Sequence, residues 1–315
     1  MKNYKSYLAD ETNFMKKLKT YGVCVIPNVI SEDKCIELRN KMWQEVKYLH
    51  KDRFDLSKED TWRNFYDFMP LHSMLIQHFS IAHLQSVWDI RQNEKVGDIF
   101  SKMWGVPKEE LLSSFDGISI NLPPEKTNRG WFLNNDWMHT DQAPNKKGLH
   151  CIQGLVNLYP VNKGDATLTI LEKSNNYHEE FFNHINLHNN DDWFKLNAEQ
   201  KEWFINKGCN QYCVIAPIGS LVLWDSRTIH QGIEAQKGRE KQNFRMVIYT
   251  CLLPKSLFSE KTREKRKKMF NDMRVTNHWG TKMFPKTPRT YGKEMKEFNK
   301  PKQPVLTEYG KKLIF

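Results

Sequence analysis

Apolar positions in the first hundred residues recur at helical spacing, whereas after Ser114 they gather in short runs that suit strands. Phe14, Leu18 and Tyr21 share one face of a helix expected over 11–21, and Val23-Cys24-Val25-Ile26-Pro27 reads as a strand. Ser31-Glu32-Asp33 supplies a capping hydroxyl followed by two acids, so a helix carrying Leu38, Met42 and Val46 starts there. Residues 73–104 offer two further helices, and Pro107 opens a short one ending near Leu112. Strands are expected within 114–122, 136–141, 149–159, 166–171, 211–215, 220–224 and 244–253, where β-formers are bounded by Gly, Pro or polar clusters. A polar, aromatic insert of helical character, 178–207, interrupts them, and 259–273 returns to helix before a Pro-containing loop.

Many short strands with long connections, and no regular βα alternation, favour a sandwich or barrel over a doubly wound sheet. The expected organisation is one domain over 1–254, with a helical part at 1–112 and a mainly β core at 113–254. A basic helical and loop extension follows at 255–315.

Composition changes this picture little. The 315 residues are 39% hydrophobic and 12% aromatic, and ten Trp and eighteen Phe exclude disorder for the bulk of the chain. The longest apolar runs, 219–224 and 246–254, fall far short of the ~20 residues a membrane helix needs. Met1-Lys2-Asn3-Tyr4-Lys5 leads to Asp10-Glu11 with no apolar stretch, so no secretory signal is expected. Six scattered Cys, with Cys209 and Cys213 lacking a second pair, read as reduced thiols of a cytoplasmic protein rather than a zinc site.

Charge is uneven. The net charge is +11, and residues 255–303 hold 15 Lys or Arg against 5 Asp or Glu. Such a block could be a solvated helix face with a basic tail, or it could engage nucleic acid or another polyanion.

The chemistry concentrates in His139-Thr140-Asp141 and His230. Residues i and i+2 of a strand point to one face, so one imidazole and one carboxylate can converge on one ion. His230 follows a strand expected at 220–224 and supplies a second imidazole. Two His and one carboxylate leave coordination positions open, the arrangement of non-haem Fe(II) oxygenases; a zinc hydrolase could use the same ligand types, and a hydrogen-bonded surface pair needs no metal. Arg245 lies within the apolar run Phe244-Arg245-Met246-Val247-Ile248-Tyr249. A buried guanidinium needs a partner, and a dicarboxylate offers a two-pronged one. Arg239, in the polar loop 236–240, is the competing candidate.

These residues, Trp137-Met138-His139-Thr140-Asp141-Gln142, the run from Gly219 to His230, and Arg245 one strand later, resemble the phytanoyl-CoA dioxygenase family of Fe(II)- and 2-oxoglutarate-dependent oxygenases. The resemblance covers roughly 21–254. It implies a double-stranded β-helix, a jelly-roll (cupin-like) barrel with N- and C-terminal helices outside. It also implies Fe(II) held by His139, Asp141 and His230, 2-oxoglutarate gripped by Arg245, and O2 as co-substrate. The implied reaction hydroxylates an unactivated C–H bond of a small-molecule or acyl substrate. The sequence departs from the family at Lys173-Ser174-Asn175 and at Gly232, which carries no hydroxyl.

Strand parity adds candidates for contact with the cosubstrate. Gln153 and Asn157 share a face, Asn121 ends the preceding strand, and Trp224 falls on the His230 side. Arg227 beside Asp225 reads as a structural pair, and His178, His184 and His188 as members of a solvated loop.

Overall fold

Short strands with alternating faces assemble into two five-stranded sheets. The computed structural model describes residues 4–69, 75–290, 292 and 294–315; the helix start expected at Ser73 lies outside them. The strands are β1 (Val23–Ile26), β2 (Leu111–Ser113), β3 (Ile118–Asn121), β4 (His139–Thr140), β5 (Ile152–Asn157) and β6 (Thr167–Leu171). Then come β7 (Phe194–Lys195), β8 (Gln211–Cys213), β9 (Leu221–Asp225), β10 (His230–Ile233), β11 (Arg245–Tyr249) and β12 (Leu252–Pro254). One sheet runs β1-β9-β5-β11-β3 and the other β7-β4-β10-β6-β8, with β12 and β2 forming a separate ribbon. Neighbouring strands pair antiparallel throughout, and neither sheet closes on itself among the described residues.

Register decides what each face does. In the first sheet Val25 sits opposite Val222, and Leu155 opposite both Val222 and Tyr249. These side chains meet Leu168, Ile170 and Val214 of the second sheet in an apolar layer between the sheets. The alternate residues, among them Ile26, Ile120, Val156, Leu223 and Met246, face outward into a larger core with Trp43, Phe54, Phe65, Trp88 and Phe100. Full burial of each such side chain contributes about 1.5–3 kcal/mol.

The helices that supply this outer core are α1 (Phe14–Tyr21), α2 (Glu32–Leu49), α3 (Gln85–Arg91) and α4 (Glu94–Trp104), with a short α5 (Pro124–Thr127) after β3. Ser31 caps α2 by accepting from the Lys34 amide at 3.4 Å, as its position before two acids predicts. The outer side of the second sheet is covered by the insert, α6 (His178–His184) and α7 (Ala198–Asn206), through Phe181, Phe182 and Phe204. In the C-terminal segment α8 (Glu260–Asn271) and α9 (Glu308–Lys312) contribute Met269, Phe270 and Tyr309 to the large core.

Several boundaries differ from the sequence reading. The run 244–253 is broken after Tyr249, so β12 leaves the sheet to pair with β2. The strand expected at 136–141 shortens to β4, and the insert contributes β7, which pairs with it. A 3-10 stretch, Glu59–Phe68, for which the sequence reading had no element, buries Phe65, Tyr66 and Phe68. All six cysteines are free, and no helix among the described residues is long and apolar enough to cross a membrane.

Candidate metal centre

Antiparallel pairing of β4 with β10 sets His139 directly opposite His230. His230 also lies opposite Ile170, whose side chain belongs to the layer between the sheets, so the imidazole faces inward. Asp141 follows β4, its amide bonded to the Ser226 carbonyl at 3.1 Å and the hydroxyl of Thr140 bonded to the same carbonyl at 3.0 Å. Candidate ligand atoms of His139, Asp141 and His230 all lie within 4.8 Å of one another, and the three residues are buried. His139 Nε2 is 3.6 Å from Asp141 Oδ1, and His230 Nε2 is 3.3 Å from Asp141 Oδ2.

Tautomers follow from the backbone. Nδ1 of His139 lies 3.1 Å from the Trp137 carbonyl, and Nδ1 of His230 lies 2.9 Å from that of Thr228. A carbonyl only accepts, so each Nδ1 carries the proton and each Nε2 presents a lone pair to the centre. Asp141 is braced by Gln153, whose Nε2 donates to Oδ2 at 2.7 Å. Burial alone would raise the Asp141 carboxyl, but the imidazoles of His278, His139 and His230 outweigh it and hold it far below the usual carboxylate range. Burial, with His230 beside it, pushes His139 down to about 4 despite Asp141. His139 and Asp141 are thus deprotonated at neutral pH, as binding to a divalent cation requires.

Arg245 projects from the neighbouring sheet into the same interior. It is 5% exposed and lines a narrow cavity between the sheets with Asn157, Thr167, Leu168, Val222 and Val247. One guanidinium nitrogen donates to the Ser119 hydroxyl, while Nε is buried without a partner among the described residues. Arg239 is committed elsewhere, with two 2.7 Å bonds to Glu125 and one of 2.9 Å to Asp165. Its charge is balanced by these two carboxylates.

The remaining expected residues divide. Asn121 lies opposite Arg245 in register. Gln153 reaches a candidate ligand, Asp141, through its amide. The amide of Asn157 donates to the Tyr159 and Pro217 carbonyls at 2.6 and 2.8 Å, leaving its Oδ1 buried without a partner among the described residues. Trp224 is 2% exposed, with its ring 5.6 Å from His230. Arg227 pairs with Asp225 at 3.0 and 2.6 Å. His178, expected in a solvated loop, is buried and bonded to the Gln142 carbonyl at 3.0 Å, because α6 turns it toward Phe182; His184 and His188 are exposed.

Sequence reasoning gave Trp137 and His278 no role at the ligands, and it read Trp193 only as part of an aromatic segment, 193–203, that either covers the substrate or packs as an added helix. Trp137 stacks on His139 at 4.9 Å, and its position two residues earlier on the same strand face could have flagged it. Trp193 approaches His139 to 5.6 Å from the insert, and His278 acts electrostatically on Asp141 from the C-terminal segment. Neither carries a local signal, since long chain separations bring them in.

No family model matches the chain. It is 31% identical over 266 residues, 82% of either chain, to Ava biosynthesis cluster protein O of Aspergillus versicolor. Among solved structures it resembles a putative oxidoreductase from Salmonella typhimurium LT2, with a TM-score of 0.62 and 12% identity over 98% of this chain and 85% of that one. It also resembles the epimerase SnoN in complex with Fe3+, alpha ketoglutarate and nogalamycin RO, with a TM-score of 0.50 and 12% identity over 78% of this chain and 83% of that one. At such identities the two structures speak to the fold. The extent of the sequence match makes the chain a member of the family of Ava biosynthesis cluster protein O.

Proposed function

We propose that this protein is an Fe(II)- and 2-oxoglutarate-dependent dioxygenase that hydroxylates an unactivated C–H bond of a small-molecule or acyl substrate. The two facing sheets are then the halves of a double-stranded β-helix of the phytanoyl-CoA dioxygenase type. The observation that carries the reading is the buried His139–Asp141–His230 cluster, with both Nδ1 atoms held by carbonyls and both Nε2 atoms turned inward. SnoN, whose fold is similar, was solved with Fe3+ and alpha ketoglutarate.

In this reading His139, Asp141 and His230 would hold the ion, and a set of only three protein ligands would leave coordination positions for cosubstrate and O2. The bound ion with 2-oxoglutarate and O2 supplies the oxidising power, with succinate and CO2 released. The chain's own residues do the positioning. Arg245 meets the far carboxylate with a guanidinium already desolvated and only partly hydrogen-bonded. Gln153 fixes the rotation of the Asp141 carboxylate, and Trp224 and Trp137 exclude water beside the two imidazoles.

The test is iron content after anaerobic purification together with succinate formation and O2 uptake from 2-oxoglutarate. Wild type is expected to hold one Fe(II) and to form succinate, and His139→Ala to do neither. An iron-free wild type with no succinate formation defeats the proposal.

A further inference from the structure

The edge strand of the second sheet, β7, comes from the insert and borders the candidate ligands directly. It pairs with β4 so that Lys195 lies opposite His139 and Phe194 opposite Thr140. Residues directly opposite on antiparallel strands share a face. Phe194 turns away from the centre, packing on Phe182 at 5.2 Å and Phe181 at 6.1 Å in the aromatic cluster of the insert. Alternation then puts Trp193 and Lys195 on the other side, that of His139 and Asp141. A ring contact agrees, since the Trp193 indole lies 5.6 Å from the His139 imidazole.

Neither residue fills a core. Trp193 is 52% exposed, and its backbone φ is +74°, a region costly for a bulky side chain. Both flanks hold it there. Asp192 accepts from the Ala143 amide at 3.1 Å and from Lys146 Nζ at 2.7 Å, and the Leu196 amide donates to the Met138 carbonyl at 2.9 Å. Lys195 is exposed and makes no ion pair among the described residues. Asp136, the carboxylate whose charge it feels, is already bonded to Lys201 Nζ at 2.5 Å and to the Met138 amide at 3.1 Å. An indole kept open in a costly conformation and an ammonium without a counter-ion thus stand two residues apart beside the ligands.

We infer that β7 is the substrate-recognition strand, and that the substrate is a small aromatic acid whose ring lies on Trp193 and whose carboxylate pairs with Lys195. The inference rests on the oxygenase reading above and deepens it by naming a substrate class. An exposed indole face recognises a flat ring by stacking, and a free ammonium recognises an anion as a point charge. Their spacing sets the size of the molecule. Residues i and i+2 of a strand are about 6.5 Å apart, which suits a ring and a carboxylate joined by a short alkyl chain. Substrate choice then resides in the insert rather than in the strands that carry the ligands.

The test uses the full chain loaded with Co(II) and 2-oxoglutarate, titrated by calorimetry with 3-phenylpropanoate, its neutral counterpart 3-phenylpropanamide and its saturated counterpart 3-cyclohexylpropanoate. Wild type is expected to prefer the acid to the amide by roughly fivefold, the strength of one exposed ion pair, and the aromatic ring to the saturated one by roughly fivefold. Lys195→Met should bring the acid-to-amide ratio near one and leave the ring preference. Trp193→Ala should do the reverse, and Trp193→Phe should keep part of the ring preference. The Co(II) absorption band and the affinity for 2-oxoglutarate should be unchanged in these variants, because neither residue is a ligand. Trp193→Gly should melt no lower than wild type, since glycine adopts a φ of +74° freely. A large fall in its melting temperature makes the indole a structural prop and overturns the inference. So does either preference surviving its own substitution, which leaves Lys195 an edge lysine only, or a wild type that binds none of the probes. An absent Co(II) band in wild type instead defeats the oxygenase reading, and the two ratios measured without metal then decide on β7.

Discussion

At the scale of single residues, strand parity made the centre readable and also marked where reading stopped. His139 and Asp141 share a side because they are two residues apart, and Arg245 is inward because its apolar neighbours Met246 and Ile248 are outward. Parity put Gln153 and Asn157 on one face but could say neither which face that is nor what Gln153 bonds, which depends on how closely β5 approaches Asp141. That contact yields a prediction. Gln153→Leu should leave the fold intact and weaken Co(II) binding by roughly 10- to 100-fold, the usual loss when a ligand's hydrogen-bond support is removed. A metal titration followed by absorbance measures it. Arg245→Ala should raise the KM for 2-oxoglutarate by roughly tenfold or more, with little change in metal affinity, as removal of a charged two-pronged contact implies. Arg239→Ala should instead lower thermal stability, because Glu125 and Asp165 lose their shared counter-ion. Comparing the two variants separates a binding arginine from a structural one.

At the scale of elements, helices with capped starts and strands bounded by turn residues were legible, whereas segments held by tertiary contact were not. β7 is two residues long and exists because β4 offers it a free edge. Gly219 shows how tightly elements meet. Its φ is +70°, and an added Cβ would lie 1.9 Å from the Ile30 carbonyl oxygen at the junction between β1 and α2. Gly219→Ala should therefore cost at least about 2 kcal/mol, read from urea unfolding at pH 7. His83 links another pair of elements, with its Nε2 3.0 Å from the Arg274 carbonyl, and burial, aided by Arg91, pushes its pKa down to about 3. Above pH 6.5 folded and unfolded chains are both neutral there, so His83 adds no pH dependence. Between pH 6.5 and about 3 the unfolded chain takes up a proton that the folded chain refuses, so stability falls with pH. Going from pH 7 to pH 5 should cost wild type about 2 kcal/mol through this residue, and His83→Gln should remove that part of the slope.

At the scale of the whole molecule, the C-terminal segment is where composition said least about position. Its surplus of Lys and Arg reads as a solvated face, and much of that charge is indeed exposed, yet Arg266 is fully buried. Its guanidinium donates to the carbonyls of Ser113, Gly280 and Ile314 at 2.5, 2.9 and 2.9 Å, and it lies 4.7 Å over the Phe115 ring. One side chain thus joins the end of β2, the loop after His278 and the chain end. No periodicity could report this, because a planar donor fork spanning three distant backbones leaves no trace in the sequence around it. Arg266→Lys keeps the charge but cannot reach three carbonyls at once, so about 3–5 kcal/mol should be lost as desolvated acceptors go unmet. The loss should be felt first where the fork is anchored. Limited proteolysis should cut the variant after Pro254 before it cuts the sheets, while wild type resists both. If the segment is docked as described, removing 255–315 strips Met269, Phe270, Tyr309 and Ile314 from the core that covers the first sheet, and the shortened chain should lose its cooperative thermal transition. A truncated chain that melts cooperatively at the wild-type temperature would instead mean that the sheets and N-terminal helices hold without it.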